Sequence, residues 1–146
     1  MVPFKTTGLE RGPALQKDIQ WFDDIQSLGP LPVNPDGPGA EYAQLLRNLA
    51  EDDVPAFLCH YYNIVFAHNA GGMMIGKILA KKLLDGTTLE FYKYDADVKE
   101  LGAVVKADLE KVAASWTDEE RQRSVDQTKN SFKYAGSLMK CITQSE

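Results

Sequence analysis

Cysteine, histidine, positive charge and long apolar runs are all scarce in this 146-residue sequence. The two cysteines, Cys59 and Cys141, fit no metal or redox spacing and read as free thiols in a reducing compartment. The longest apolar stretches are broken by His, Asn, Gly and Lys, so no segment reads as a membrane span. A net charge of −5 argues against nucleic acid as a general partner. The stretch from Met1 to Glu10 has neither an apolar signal core nor an Arg/Ser-rich amphipathic pattern. Either a targeting segment has been removed or the sequence is a fragment. The two histidines, His60 and His68, stand eight residues apart. On a helix that is about 12 Å along the axis, too far to share one metal ion. Glu-x-x-His pairs are missing, which speaks against a di-iron bundle.

What is present is helical. Hydrophobic residues make up 44% and charged residues 25%, ordinary for one globular domain over residues 1–146. Thr7-Gly8-Leu9-Glu10 fits a capping box, although Pro13 would then lie inside the helix; a start at Gly12-Pro13 fits equally. Leu15, Ile19 and Phe22 share one face of that helix. Four prolines and three glycines between Leu28 and Gly39 predict an irregular loop. Tyr42, Leu45, Leu46 and Leu49 mark a second helix. Asp52-Asp53 with Pro55 starts a third, of roughly 30 residues, that runs to Asp85-Gly86. After an aromatic turn from Leu89 to Tyr94, Val98, Leu101, Val105, Leu109 and Val112 trace another stripe. Thr117-Asp118-Glu119-Glu120 caps the last helix, with Val125, Thr128, Phe132, Ala135, Met139 and Ile142 as its expected buried face. No strand pattern, repeat or nucleotide-binding glycine motif appears. The expected fold is all-α.

The middle of the long helix is its odd part. Ala67-His68-Asn69-Ala70-Gly71-Gly72, followed by Gly76, costs a helix roughly 3 kcal/mol against alanine. Two physical reasons would justify that. Glycine admits a closely packed neighbour, or it lets a flat ligand lie against bare backbone. His68, three residues before Gly71, is placed to share that face.

The segment from Phe57 to Gly76, Phe-Leu-Cys-His-Tyr-Tyr-Asn-Ile-Val-Phe-Ala-His-Asn-Ala-Gly-Gly-Met-Met-Ile-Gly, resembles the distal helix of plant and algal heme oxygenases. So do Thr7-Gly8-Leu9-Glu10-Arg11, Trp21-Phe22, Leu89-Glu90-Phe91-Tyr92-Lys93-Tyr94, Trp116-Thr117 and Ser131-Phe132-Lys133-Tyr134-Ala135-Gly136, in the same order. The resemblance implies a heme-oxygenase-type helical bundle with a long, glycine-kinked distal helix. It implies heme as cofactor and substrate, and O2-dependent cleavage to biliverdin, carbon monoxide and ferrous iron. Ferredoxin would be the electron donor and the plastid the location, in the stroma or on the stromal side of a complex. On this sequence, Gly71 and Gly72, beside Ala67, would approach the heme face, and His68 would anchor the polar network that handles protons there. Tyr62 and His60 would support that network or simply pack. Lys106 would face a heme propionate or be a solvated lysine. Phe132 and Met139 would wall the pocket or serve as core.

The sequence also departs from the family. It begins close to the family's Thr-Gly-Leu-Glu-Arg segment, so the first, proximal helix with its iron-ligating histidine is expected to be missing. Met73 stands where plant members commonly have a basic residue, and Val65 where an aromatic is usual. Two functional accounts follow. One is an incomplete version of an active heme oxygenase. The other is a catalytically silent binding or structural subunit, whose uncovered distal-helix face would call for a protein partner.

Overall fold

Thr117 N–H bonds to Glu120 Oε2 at 2.7 Å and Glu120 N–H to Thr117 Oγ1 at 3.2 Å, the reciprocal cap that starts a helix at Asp118. The computed structural model describes residue 4, residues 6–26 and residues 34–143. Among these are six α-helices and no strand: α1 (Gly12–Gln26), α2 (Pro38–Asp52), α3 (Val54–Ala67), α4 (Met73–Leu83), α5 (Val98–Ala113) and α6 (Asp118–Thr143). A five-residue π-turn, His68–Gly72, joins α3 to α4, and a 3-10 turn, Glu90–Tyr92, precedes α5. The all-α expectation holds. Of the two possible starts for the first helix, the chain uses Gly12-Pro13. Thr7 and Glu10 do bond to each other, through Thr7 N–H and Oγ1 at 2.6 and 2.8 Å, but that closed loop starts no helix. The expected proline-rich loop lies partly outside the described residues, at 28–33. Its last two residues, Pro38 and Gly39, belong to α2, with proline in the first turn where its missing N–H costs nothing.

The long helix expected from the sequence is α3, the π-turn and α4, with 14, five and 11 residues. Backbone dihedrals stay right-handed throughout, from Ala67 (φ −63°, ψ −41°) to Met73 (φ −61°, ψ −35°). What changes is the hydrogen bonding: Met73 N–H reaches back to His68 O, five residues earlier. The helix ends at Asp85 (φ 48°) and Gly86 (φ 86°), where Gly86 N–H bonds to Ala80 O at 2.8 Å.

Residues group into two compact units. The first takes Met1–Val33 and Ala67–Asp108. Leu9, Gly76, Ala80, Gly102 and Val105 are buried in it. α1 packs on the 3-10 turn, and buried Asp18 accepts bonds from Glu90 N–H at 2.7 Å and Phe91 N–H at 2.8 Å. This corrects the expected inner face of α1. Leu15 and Ile19 are exposed while Phe22 is half-buried, and a carboxylate takes the inner position because two turn amides need an acceptor.

The second unit takes Asn34–Phe66 and Leu109–Glu146. Here α2 packs against α6, and Tyr42, Ala56, Leu58 and His60 are buried. Of the expected buried face of α6, Thr128 does turn inward, and the apolar members are corrected. Val125, Phe132 and Met139 are 64%, 63% and 50% exposed, Ala135 is exposed, and the side chain of Ile142 lies outside the described residues. The packed face is the polar one. Ser131 is buried, and Ser124, Gln127, Thr128 and Tyr134 are half-buried. Polar groups on α3 set this choice: Asn63 Nδ2 donates to Ser131 Oγ at 2.8 Å, and Cys59 Sγ meets Thr128 Oγ1 at 3.5 Å. Only α6 side chains that can hydrogen-bond satisfy them.

Candidate functional site

In the first unit the π-turn sets His68 against a wall of aromatic rings. Phe91 meets the imidazole edge-on at 4.6 Å between centroids, Tyr92 stacks at 5.6 Å, and Tyr94 lies at 6.4 Å. The ring also covers Gly72, where a Cβ would come within 2.5 Å of His68 Nδ1. Gly76 is covered in turn by Tyr92, whose ring atoms would lie 2.5 Å from an added Cβ. Gly71 differs: a Cβ there would meet nothing within 4 Å. The sequence spacing put His68 on the face of Gly71, but a π-turn advances less per residue than an α-helix. The residue four later therefore stays under the ring, while the one three later rotates out.

Burial holds the His68 imidazole below its ordinary pKa, and the positive charge of Arg11 pushes it the same way. Its Nε2 is buried without a hydrogen-bond partner, and so is Asn69 Nδ2. Asn69 Oδ1 accepts a long bond from the Tyr94 hydroxyl at 3.4 Å. Arg11 lies with its guanidinium carbon 3.8 Å from the Tyr94 ring centroid, its Nη1 donating to Lys93 O at 2.5 Å. Burial raises the Tyr94 and Tyr92 hydroxyls above the ordinary phenol value. Both stay protonated near neutral pH.

Ala67, Gly71, Met74, Ile75 and Ile78 form an exposed, mostly apolar run along successive turns. Lys106, on α5, is exposed.

In the second unit His60 is wholly buried, and both ring nitrogens are engaged. Nδ1 lies 2.8 Å from the Tyr42 hydroxyl and Nε2 3.2 Å from Gln127 Oε1. Gln127 Oε1 can only accept, so Nε2 donates to it and Nδ1 accepts from the Tyr42 hydroxyl, which burial, with Cys59 and Tyr134 adding to it, pushes up to about 12. The Tyr42 ring stacks on Tyr134 at 4.8 Å. This is a packed core group. Tyr62 is 41% exposed and stacks on Phe66 at 4.4 Å; Phe132 and Met139 lie on the open stripe of α6. No cluster of three or more metal-ligating side chains occurs among the described residues. None of the described helices is long and apolar enough to cross a membrane.

Sequence reasoning did not single out Arg11, Asn69 or the individual rings of the 90–94 segment. An aromatic turn was legible there, and a lone arginine before a helix gave no signal of the ring it would cover.

No family model matches the chain. Individual proteins do. "Heme oxygenase 3, chloroplastic" of Arabidopsis thaliana is 46% identical over 139 residues, covering 95% of this chain and 48% of that protein. "Heme oxygenase 1, chloroplastic" of Oryza sativa subsp. japonica is 45% identical, over 95% of this chain and 47% of its own length. "Probable inactive heme oxygenase 2, chloroplastic" of the same rice is 38% identical over 141 residues, 97% of this chain and 42% of that protein. The chain thus spans about half the length of the relatives it matches. Identity at this level over nearly the whole chain, with a glycine pair inside a helix beside a wall of aromatic rings, places it in the heme oxygenase family, among relatives of the plant chloroplast type.

Proposed function

We propose that the open run over Ala67, Gly71, Met74, Ile75 and Ile78 is a distal heme face. In a complete domain, the protein then cleaves heme to biliverdin, carbon monoxide and ferrous iron, using O2 and electrons from ferredoxin, in the plastid. One observation carries this reading: Gly71 is bare and open while Gly72 and Gly76 are covered by side chains. Packing explains the second and third glycines, and a flat ligand lying against bare backbone would explain the first. Plastid location is supported by relatives named chloroplastic.

The residues fit one side of heme. Gly71 would let the ring approach the backbone, and the apolar side chains beside it would exclude water. His68 lies over Gly72 rather than Gly71, so its role as the polar group that handles protons rests on the resemblance; burial and Arg11 lower its pKa, and a neutral imidazole can both accept and donate hydrogen bonds. Lys106 supplies an exposed ammonium suited to a propionate. Tyr62, Phe132 and Met139 are exposed apolar side chains of the other unit, and a heme-binding role for them rests on the resemblance alone. Heme itself would supply the iron that activates oxygen.

His60 is fully engaged in its core, and His68 Nε2 is buried beside the aromatic wall. A second reading, a catalytically silent heme-binding or structural subunit, is supported by the similarity to relatives named probable inactive heme oxygenases. Hemin titration followed by turnover with ferredoxin, its reductase and O2 separates the readings. Saturable binding lost in Gly71→Leu, with biliverdin formed, supports the enzyme. The same binding without biliverdin supports the silent subunit. Hemin uptake indifferent to Gly71→Leu would sink both.

A further inference from the structure

We propose that Arg11 is a positioning residue for His68, acting through Tyr94 and the backbone of residues 90–94. The inference rests on the reading of His68 as the polar group beside the heme face. Three contacts carry it. The guanidinium lies 3.8 Å from the centroid of the Tyr94 ring, and its Nη1 and Nη2 donate to Lys93 O and Gly8 O at 2.5 and 3.5 Å. Gly8, at φ +79°, turns the chain there. The Tyr94 hydroxyl then reaches Asn69, the neighbour of His68 in the π-turn, while Phe91 and Tyr92 from the same segment hold the imidazole ring. One planar cation thus ties the start of the chain to the wall that fixes His68.

The cluster is not arranged as packing alone would arrange it. Its three polar residues each leave a buried atom unpaired: Arg11 Nε, His68 Nε2 and Asn69 Nδ2. Unpaired buried groups are unfavourable in a purely structural cluster, and they gather where polar chemistry is done. The charged and titratable groups around His68 are few. Arg11 precedes α1, and Asp18 on α1 acts through the amides of Glu90 and Phe91. Tyr92 and Tyr94 belong to the wall itself, and the Glu90–Lys93 pair is at the surface. Arg11 is the cation that lowers the His68 pKa, adding to burial.

The test uses the 146-residue chain and side-chain nitrogen NMR, where two histidines give an assignable spectrum. In Arg11→Met, His68 should titrate at a higher pH than in the parent, and the nuclear Overhauser contacts between its ring and Phe91 should weaken. Arg11→Lys restores the charge without the plane. It should return the titration toward the parent value and leave the ring contacts weakened. A merely structural Arg11 would lower the melting temperature and leave both His68 readouts as they were, and that result overturns the proposal. Should Arg11→Met fail to fold, Tyr94→Leu removes the platform while keeping the cation. Unchanged contacts between His68 and Phe91 there overturn the proposal equally. The heme reading fails separately: a His68→Ala protein with parental hemin affinity and turnover would sink it, whatever the spectra show.

Discussion

Three glycines within six positions of one helix do different work. Gly72 and Gly76 are excluded from bearing a side chain by His68 and Tyr92, whereas Gly71 has free space beside it. None of them needs a left-handed backbone; Gly72 sits at φ −59°. The consequence is measurable. Gly71→Ala should stabilise the chain by up to about 1 kcal/mol, the helix-propensity gain with no clash to offset it. Gly72→Ala should cost roughly 1–3 kcal/mol, because His68 is held by Phe91 and Tyr92 and has little room to yield. Urea melts of the two variants should differ in sign. Equal effects would mean that the imidazole moves aside freely, and the aromatic wall would not be fixing it. The glycine cluster and His68 were legible in the sequence as a peculiarity of one helix. Which glycine is covered was not, because that depends on the angular advance of a π-turn and on Tyr92, which follows Gly76 by sixteen positions.

Caps and helix periods were legible because they are local: Thr117 and Glu120 lie three residues apart and satisfy each other. The inward faces of α1 and α6 were not, since both depend on hydrogen bonds from distant residues. On α6 the apolar stripe stays open, while serine, threonine and glutamine meet the polar groups of α3. On α1 the carboxylate of Asp18 displaces leucine and isoleucine from the inner face to serve amides more than seventy residues later in the chain. Hydrophobic periodicity reads apolar burial and is blind to this kind of demand. The Asp18 contact gives a prediction at this scale. Asp18→Ala leaves two buried turn amides without an acceptor, and hydrogen bonds to a charged group are worth about 1.5–3 kcal/mol each. Asp18→Asn retains one acceptor oxygen and should recover part of the loss. Amide hydrogen exchange at Glu90 and Phe91 should quicken in the order parent, Asn, Ala. Slow exchange kept in Asp18→Ala would show that the turn is held by its rings instead.

Across the whole chain the balance of surfaces is unusual for a protein that works alone. α6 carries Val125, Phe132, Ala135 and Met139 at steps of three, four and seven, the spacing of a helix-packing seam, and all four are exposed. α4, in the other unit, exposes Met74, Ile75, Ile78 and Leu83. Single exposed apolar residues are commonplace, but aligned rows on two helices are not. Covering even about 400 Å² of such surface contributes up to ~10 kcal/mol at ~25 cal/mol per Å², an upper bound comparable to the stability of a whole domain. The uncovered protein should therefore associate. Light scattering after size-exclusion chromatography should show a mass that rises with concentration, and a hydrophobic dye should bind. Phe132→Lys and Val125→Glu replace side chains more than half exposed, so each should change folding stability by no more than about 0.5 kcal/mol. Combined, they should reduce association and dye binding while the helical circular dichroism and the melting temperature stay near those of the parent. A parent chain that remains a monodisperse monomer at every concentration, with no dye bound, would show that these rows need no cover, and the case for a partner on this surface would fall.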